Sequence, residues 1–375
     1  MNQPENIDSF YKADWITFGI RKRLHLSPLA ATILWYLLYN TILLIAAIYD
    51  DIVFSRGNRI GLLNDWGWWI ITLGWSAGIY IFLWFPDGIK NTIVSLLQNK
   101  VVGSSSLYPG RDEKEVLDIY IRDFYRSYSN RFWYILAFVI TIPIMPSVVQ
   151  SQREFVMWHT ANAFSFWIVM FLYMLIFFIG ITVIFRTIVV SIWFNKLFRD
   201  FDVDVKPLHP DQAGGLASLS RFSMTIVYAI VLTAITLVMG DISEALIKSK
   251  SYIDVVRQPH ILVSYLYYGG AASLAFFAPL FVAHIAMKKA KNGFIAKISD
   301  QFDVEIDRIP PLLAQDNVSL KDSLSKLEEL QQLHAIASKF PVWPYNAGYL
   351  ARFFGAILSP LFISLISVAI EQFFR

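Results

Sequence analysis

The chain contains no cysteine and few charged residues. The missing cysteine excludes disulfides, thiolate metal sites and cysteine nucleophiles. Charged residues make up 16% of the sequence, whereas soluble globular domains carry about 25%. Hydrophobic residues make up 56%. This composition indicates a membrane protein rather than a set of soluble domains.

Seven apolar segments contain no Asp, Glu, Lys, Arg or His. Each is close to the ~20 residues that a helix needs to cross a hydrocarbon core of ~30 Å, and a helix satisfies its own backbone hydrogen bonds there. We therefore predict an all-α, polytopic transmembrane helix bundle. Ionisable residues inside a membrane usually mark ion sites and proton relays, so their absence says little about activity. The predicted spans are 29–48, 67–85, 132–149, 164–185, 222–240, 261–283 and 353–370.

The distribution of Lys and Arg predicts that the N-terminal segment, residues 1–28, is cytoplasmic. With that orientation 25 of the 32 basic residues lie on the cytoplasmic side, as the positive-inside rule requires. The C-terminus then lies outside. Within the transmembrane domain, 29–375, the cytoplasmic linkers are 86–131, 186–221 and 284–352. We expect them to form a small helical cap beneath a multi-pass protein of the cell (cytoplasmic) membrane. The alternative is that some of their amphipathic helices lie in the membrane surface.

Helical patterns continue into these linkers. A short apolar helix is predicted at 89–97, and a second carries Val116, Ile119, Tyr120, Phe124 and Tyr128 on one stripe. The fourth span is expected to continue past the membrane. In the third linker Ser319 can cap a helix that ends before 340–344. Its apolar stripe comprises Leu320, Leu324, Leu327, Leu330 and either His334 or Ala337.

Two linker segments resemble each other and predict an internal parallel repeat. Residues 201–210 and 302–311 share four identical positions and three conservative ones. The repeated unit would comprise 194–226 and 295–357, with a third copy near 86–132 as a weaker possibility. Parallel repeats occur in membrane transport folds. The alternative is ordinary interface chemistry, because an Arg beside an aromatic residue at the headgroup level is a common anchor.

The most distinctive motif is the loop 209–216, His-Pro-Asp-Gln-Ala-Gly-Gly-Leu. Asp211 can cap the helix that follows, and Gly214 and Gly215 leave backbone N–H groups open near the start of that helix. This arrangement can hold an anion, and His209 with Asp211 could also reach one metal ion. The structural alternative is a capped turn whose glycines allow close packing.

This loop resembles a pattern, His-Pro-Asp-x-x-Gly-Gly-Leu, in uncharacterised prokaryotic multi-spanning membrane proteins. The match covers eight residues, 209–216. The resemblance implies a bacterial or archaeal cytoplasmic-membrane protein and no particular activity.

A few polar and small residues lie within the spans. Asn40 carries the only side-chain amide there, and it either lines a pore or bonds a neighbouring helix. The sixth span has a small-residue face, which predicts either close helix packing or a pore lined by backbone. The candidate pore or packing residues on it are Ser264, Gly269, Gly270 and Ser273.

Three Arg-Phe pairs enter spans from the predicted cytoplasmic side. Their arginines, Arg131, Arg221 and Arg352, are predicted interface anchors. No Walker loop, HExxH, GxSxG or dinucleotide motif occurs. The basic clusters alternate with spans, which indicates membrane topology and not nucleic-acid binding. We therefore expect no cofactor and no catalytic residue. The expected partner of the spans is the lipid bilayer.

Three classes of function fit this sequence. The first is an ion-conducting, homo-oligomeric channel or pore with uncharged helices along the path and a basic cytoplasmic rim. The second is a secondary transporter or facilitator of a small or apolar solute. The third is a membrane-bound enzyme or a sensor, with its site at the cytoplasmic interface.

Overall fold

The computed structural model describes residues 7–55, 60–105, 112–154, 164–206, 209–247, 251–256, 259–312 and 317–374. Twelve α-helices in this part of the chain account for most of it. They are α1 (Trp15–Phe18), α2 (Pro28–Tyr49), α3 (Trp66–Gln98), α4 (Glu113–Tyr128), α5 (Arg131–Glu154), α6 (Phe164–Asp200), α7 (Ala217–Ile247), α8 (Tyr252–Val256), α9 (Pro259–Phe277), α10 (Phe281–Leu312), α11 (Asn317–Ser338) and α12 (Ala347–Phe374). Two short strands, β1 (Val102–Ser105) and β2 (Phe201–Val203), pair antiparallel.

Seven of the described helical segments are long and apolar enough to cross a membrane. They contain α2, α3, α5, α6, α7, α9 together with α10, and α12. This confirms the predicted multi-pass helical architecture. Helices α3 and α7 pack along each other most extensively and form the centre of the bundle. Helices α2 and α6 pack on one side of that pair, α9 and α12 pack on the other, and α5 packs on α6.

Two of the membrane helices continue through prolines. Helix α3 runs through Pro86, so the second span and the predicted helix 89–97 are one element. Helix α5 runs through Pro143 and Pro146. Helices in apolar surroundings tolerate proline when neighbouring groups and local adjustments satisfy the freed backbone.

The sixth span does break, at a 3₁₀ turn over Ala278–Leu280 that contains Pro279 and separates α9 from α10. Asn195 of α6 lies beside this break. Its Nδ2 donates to the carbonyl of Ala278 at 3.2 Å, and its Oδ1 accepts from the N–H of Val282 at 3.4 Å. One amide thus satisfies backbone groups that a continuous helix would pair internally.

All three linkers contribute to the largest hydrophobic core, at one end of the bundle. We call this end the linker side, defined by residues 7–26, strands β1 and β2, and the loop 209–216. Phe10, Phe124 and Phe194 are fully buried there. The third linker joins the same core through Met287 and Phe340. The predicted stripe of α4 is confirmed, because four of its five residues are buried and Ile119 is half-buried.

Helices α10 and α11 form an antiparallel hairpin that extends from the linker side. Ile298, Leu330 and Ala337 make its small core, and Lys326 donates to Glu305 across the two helices. Helix α11 begins at Asn317, so Ser319 is not its cap. The predicted apolar stripe is only partly buried, since Leu324 is 48% exposed and His334 is also exposed.

The segments of the predicted repeat have different secondary structures. Residues 201–203 form β2, whereas residues 302–312 continue α10 as helix. The sequence similarity between 201–210 and 302–311 is therefore not matched by a shared local fold.

Candidate functional site

The loop 209–216 is organised around the carboxylate of Asp211. Its Oδ1 accepts from the N–H groups of Ala213 at 2.9 Å and Gly215 at 3.0 Å, and its Oδ2 accepts from the N–H of Ala217 at 3.2 Å. His209 Nδ1 lies 2.8 Å from Oδ1 and 3.3 Å from the backbone nitrogen of Asp211. Asp211 thus binds the first residue of α7, as the capping prediction requires.

The glycines of this loop are needed for backbone conformation and for packing. Gly214 and Gly215 have φ values of +67° and +90°, which side chains disfavour. A Cβ on Gly214 would lie 2.5 Å from Val205 Cγ1, and one on Gly215 would lie 2.5 Å from Val101 Cγ2. The loop therefore packs against the segments that flank β1 and β2.

These contacts favour the capped turn over an anion or metal site within the loop. The N–H of Gly215, which we expected to be open, is bound to Asp211. Among the described residues, no three His, Asp or Glu side chains lie close enough to hold a metal ion. Burial acts to raise the pKa of Asp211, but the N–H groups of Gly215, Ala213 and Ala217 hold that pKa below its ordinary value. Asp211 is thus a structural anion, and the exposed residues of the loop are Pro210 and Gln212, with His209 half-buried beside them.

His209 lines a large cleft on the linker side. The cleft has a volume of about 2090 Å³ and lies between the ends of α6 and α10, closed by β2, α11 and the segment 339–347. Asp211, Gly214 and Gly215 do not line it, whereas Pro210 and Gln212 do. The cleft is therefore the place where the predicted loop meets solvent.

Among the charged residues that line this cleft, basic ones outnumber acidic ones. In the described part of the chain six basic and two acidic side chains line it: Lys196, Arg199, Lys206, Lys289, Lys297 and Lys339, against Asp202 and Asp204. Lys206 Nζ donates to the carbonyl of Asn99 at 2.8 Å, and Lys196 lies 4.4 Å from the Trp193 ring. Lys289, Lys297 and Lys339 are exposed and form no ion pair with the described residues. The cleft thus presents excess positive charge.

A second polar centre, which the sequence analysis missed, surrounds Arg186. This residue is the first of the predicted cytoplasmic linker 186–221, yet only 3% of it is exposed. Its Nη2 donates to Asp14 Oδ2 at 2.5 Å and to Tyr134 Oη at 2.7 Å, and its Nη1 donates to the carbonyl of Phe82 at 3.0 Å. The guanidinium also lies 4.0 Å from the Phe82 ring centroid, within cation–π range.

The sequence carries one signal that could have identified this centre. Apolar residues continue beyond Arg186 to Phe194, so the arginine lies inside a longer apolar run and not at its end. A charge in such a position needs a partner. Because Asp14 caps α1 through the Thr17 N–H at 2.7 Å, the pair also fixes the N-terminal segment.

Two further ion pairs hold the N-terminal segment to α3. Arg21 Nη2 contacts both carboxylate oxygens of Asp87, at 2.6 and 2.8 Å, and Tyr11 donates to the same carboxylate. Lys90 Nζ donates to Asp8 Oδ1 at 2.9 Å. Burial and the neighbouring Asp87 raise the pKa of Tyr11, so this phenol stays a donor at neutral pH. The N-terminal segment is thus an integral part of the linker side.

The predicted pore or packing residues fall in different surroundings. Asn40 is buried on α2, where its Nδ2 donates to the carbonyl of Tyr36 at 2.8 Å. A Cβ added to Gly269 or Gly270 would meet nothing within 4 Å. Ser273 donates to the carbonyl of Gly269 at 2.8 Å, and Ser264 lies on the same helix, α9. Asn40 thus lies on a different helix from the other four residues, and no described neighbour packs closely on Gly269 or Gly270.

The predicted interface anchors are all exposed near helix starts. Arg131 is the first residue of α5, and Arg221 and Arg352 lie in the early turns of α7 and α12. Phe222 and Phe353 beside them are buried, whereas Phe132 is 55% exposed. Exposed arginines at these positions agree with a headgroup-level role, which stays a prediction.

No family model, curated protein or solved structure matches this chain. The resemblance of residues 209–216 to prokaryotic membrane proteins therefore stays a prediction.

Proposed function

We propose that this protein is the subunit of a homo-oligomeric membrane channel that conducts small ions across a cell membrane. The observation that carries the proposal is the uncovered surface of the α10–α11 hairpin. Val304, Ile306 and Leu324 are 53%, 42% and 48% exposed. The hairpin bears many charged residues, which are costly in hydrocarbon, so lipid cannot cover these apolar groups. Apolar side chains exposed on a charged hairpin are candidates for protein contacts.

A second copy of the chain is the simplest partner for this surface, and assembly would place membrane helices from several subunits around a shared path. The open space beside Gly269 and Gly270 fits a neighbouring helix at the membrane level. The predicted spans carry no ionisable residue, so selectivity would depend on backbone groups, apolar constrictions and charged rims. The rim on the proposed cytoplasmic side is basic and favours anions.

One surface variant and one matched control variant test assembly and conduction together. Val304→Glu/Ile306→Glu places two charges on the exposed hairpin, while Gln301→Glu/Gln331→Glu places them at exposed polar positions of the same hairpin. We expect light scattering of the native protein to give an oligomer, and planar-bilayer recording to give discrete currents. The first variant should lose both properties and the second should keep both.

A monomeric native protein would contradict the proposal, and so would an oligomer that stays silent under varied voltage, tension and ions. In a potassium chloride gradient across a neutral bilayer, the reversal potential should lie nearer to that of chloride. A reversal potential at the potassium value would contradict the role of the basic rim.

A secondary transporter is the second candidate, favoured by the break between α9 and α10. Discontinuous helices form substrate sites in many transporters, and Asn195 binds the backbone at this break. Saturable uptake of a solute into proteoliposomes, without channel currents, would favour this function over a channel.

A further inference from the structure

The exposed face of α6 changes from apolar to basic as the helix enters the cleft. Ile184, Ile188 and Ile192 are 41%, 47% and 58% exposed, and their spacing of four residues places them on one helix face. The apolar face therefore continues past residue 185, the predicted end of the fourth span. Lys196 follows one turn after Ile192, and both residues line the cleft.

The opposite wall, on α10, shows the same order. Phe281 and Ile285 are 56% and 49% exposed, and Lys289 follows one turn after Ile285. The four-residue step from each isoleucine to the lysine that follows it advances about 6 Å along the helix axis. The headgroup zone of each leaflet is about 5–8 Å thick. Both walls thus pass from apolar to basic over the distance that separates acyl chains from phosphates.

A ligand that matches only the basic part of the cleft, or only its apolar part, would leave the other part uncovered. A soluble anion would contact the lysines and leave Ile192 and Ile285 exposed. An uncharged lipid would cover the isoleucines and leave the positive charges of Lys196 and Lys289 without a counterion. An amphiphile with a negatively charged head satisfies both ends at once.

We propose that the cleft binds an anionic phospholipid, with the phosphate at Lys196 and Lys289 and the acyl chains along Ile192 and Ile285. Each ammonium group can donate up to three hydrogen bonds to phosphate oxygens. Lys297 lies two turns beyond Lys289, about 12 Å further along α10, and would contact only a larger headgroup. The site does not depend on whether the chain conducts ions.

The full-length protein in detergent provides the test, by native mass spectrometry with added phosphatidylglycerol. We expect one phosphatidylglycerol per chain to be retained in preference to phosphatidylcholine. The double variant Lys196→Gln/Lys289→Gln should bind it about 30-fold more weakly, because each lysine near a headgroup contributes about a factor of five. The control Lys288→Gln/Lys321→Gln removes two exposed lysines that do not line the cleft and should change little.

Several results would overturn the proposal. One is equal retention of phosphatidylcholine, and another is an equal loss of binding in the control variant. If inorganic phosphate or glycerol 3-phosphate raises the unfolding temperature as much as phosphatidylglycerol does, the ligand is a soluble anion. The variant Lys196→Arg/Lys289→Arg keeps the charges and should restore binding, which separates a lost site from a misfolded protein.

Discussion

The N-terminal segment and the α10–α11 hairpin lie on the same side of the bundle, but they differ in how their charges are paired. Asp14 and Asp87 each bind an arginine at short distance, and Phe10 is fully buried. On the hairpin side Lys289 and Lys297 are exposed without an ion-pair partner among the described residues, and Val304 is half exposed. The carboxylates of the first region are paired with cations of the same chain, whereas these two lysines of the second region have no such counterion among the described residues.

The buried pair of Asp14 and Arg186 gives the largest expected effect. Asp14→Ala should destabilise the protein by about 3–5 kcal/mol, because it leaves a buried guanidinium without its carboxylate. The matched control is Asp123→Ala, which removes an ion pair to Arg126 whose side chains are 44% and 70% exposed. That change should cost about 0–1 kcal/mol. Denaturant unfolding in detergent measures both.

The double variant Asp14→Ala/Arg186→Met separates the ion pair from the cap of α1. With both charges removed, much of the lost stability should return, since replacing a buried pair by apolar groups is often nearly neutral. If the double variant is as unstable as Asp14→Ala alone, the pair is not the cause and the comparison between the two regions fails.

The sequence predicted the spans well but not the contacts between distant segments. Long apolar segments identify helices because their length must match the bilayer, whereas the pairing of residues 14 and 186 depends on a fold that brings separate segments together. The motif 209–216 was recognised for a valid reason, since positive φ values require its glycines. The pattern could not reveal that Asp211 itself occupies the N–H groups expected to bind an anion.

Glycines provide the next comparison between a closed and an open region. Gly214→Ala should destabilise the protein by about 2–4 kcal/mol, through left-handed strain and overpacking against Val205. Gly270→Ala on α9 meets open space and should stabilise a single chain by about 0.5–1 kcal/mol, as Ala does in helices. Thermal unfolding in detergent distinguishes the two signs.

The Gly270→Ala result also tests the proposed oligomer. If a neighbouring helix packs closely at α9, the added methyl group should lower the oligomeric mass even though the chain itself is not strained. An unchanged mass and a higher unfolding temperature together would show that no neighbour packs closely at this position.

A smaller effect is expected at the break between α9 and α10, where Asn195 of α6 binds backbone groups on either side of Pro279. Asn195→Leu removes the partners of the Ala278 carbonyl and the Val282 N–H, which should cost about 1–3 kcal/mol. Asn195→Asp keeps the acceptor for Val282 and loses only the donor to Ala278, so its loss should be smaller. Equal losses in the two variants would contradict a role for both hydrogen bonds. The unfolding midpoint in detergent is the measurement.

The smallest effect concerns the pH dependence of the loop 209–216. Hydrogen bonds lower the pKa of Asp211 from its ordinary value of 3.8. The folded state therefore binds the proton less readily than the unfolded state does. The stabilisation by Asp211 is fully present above about pH 4 and is lost as the pH falls through the lowered pKa. We expect Asp211→Asn to remove this acid-dependent contribution, by about 1 kcal/mol as for a helix cap. The native protein and the variant should then differ in unfolding temperature at pH 6, and the difference should shrink as the pH falls below 3.8 through the lowered pKa, because protonation leaves both with a neutral side chain at position 211. A constant difference across this range would show that the carboxylate charge contributes nothing to the loop.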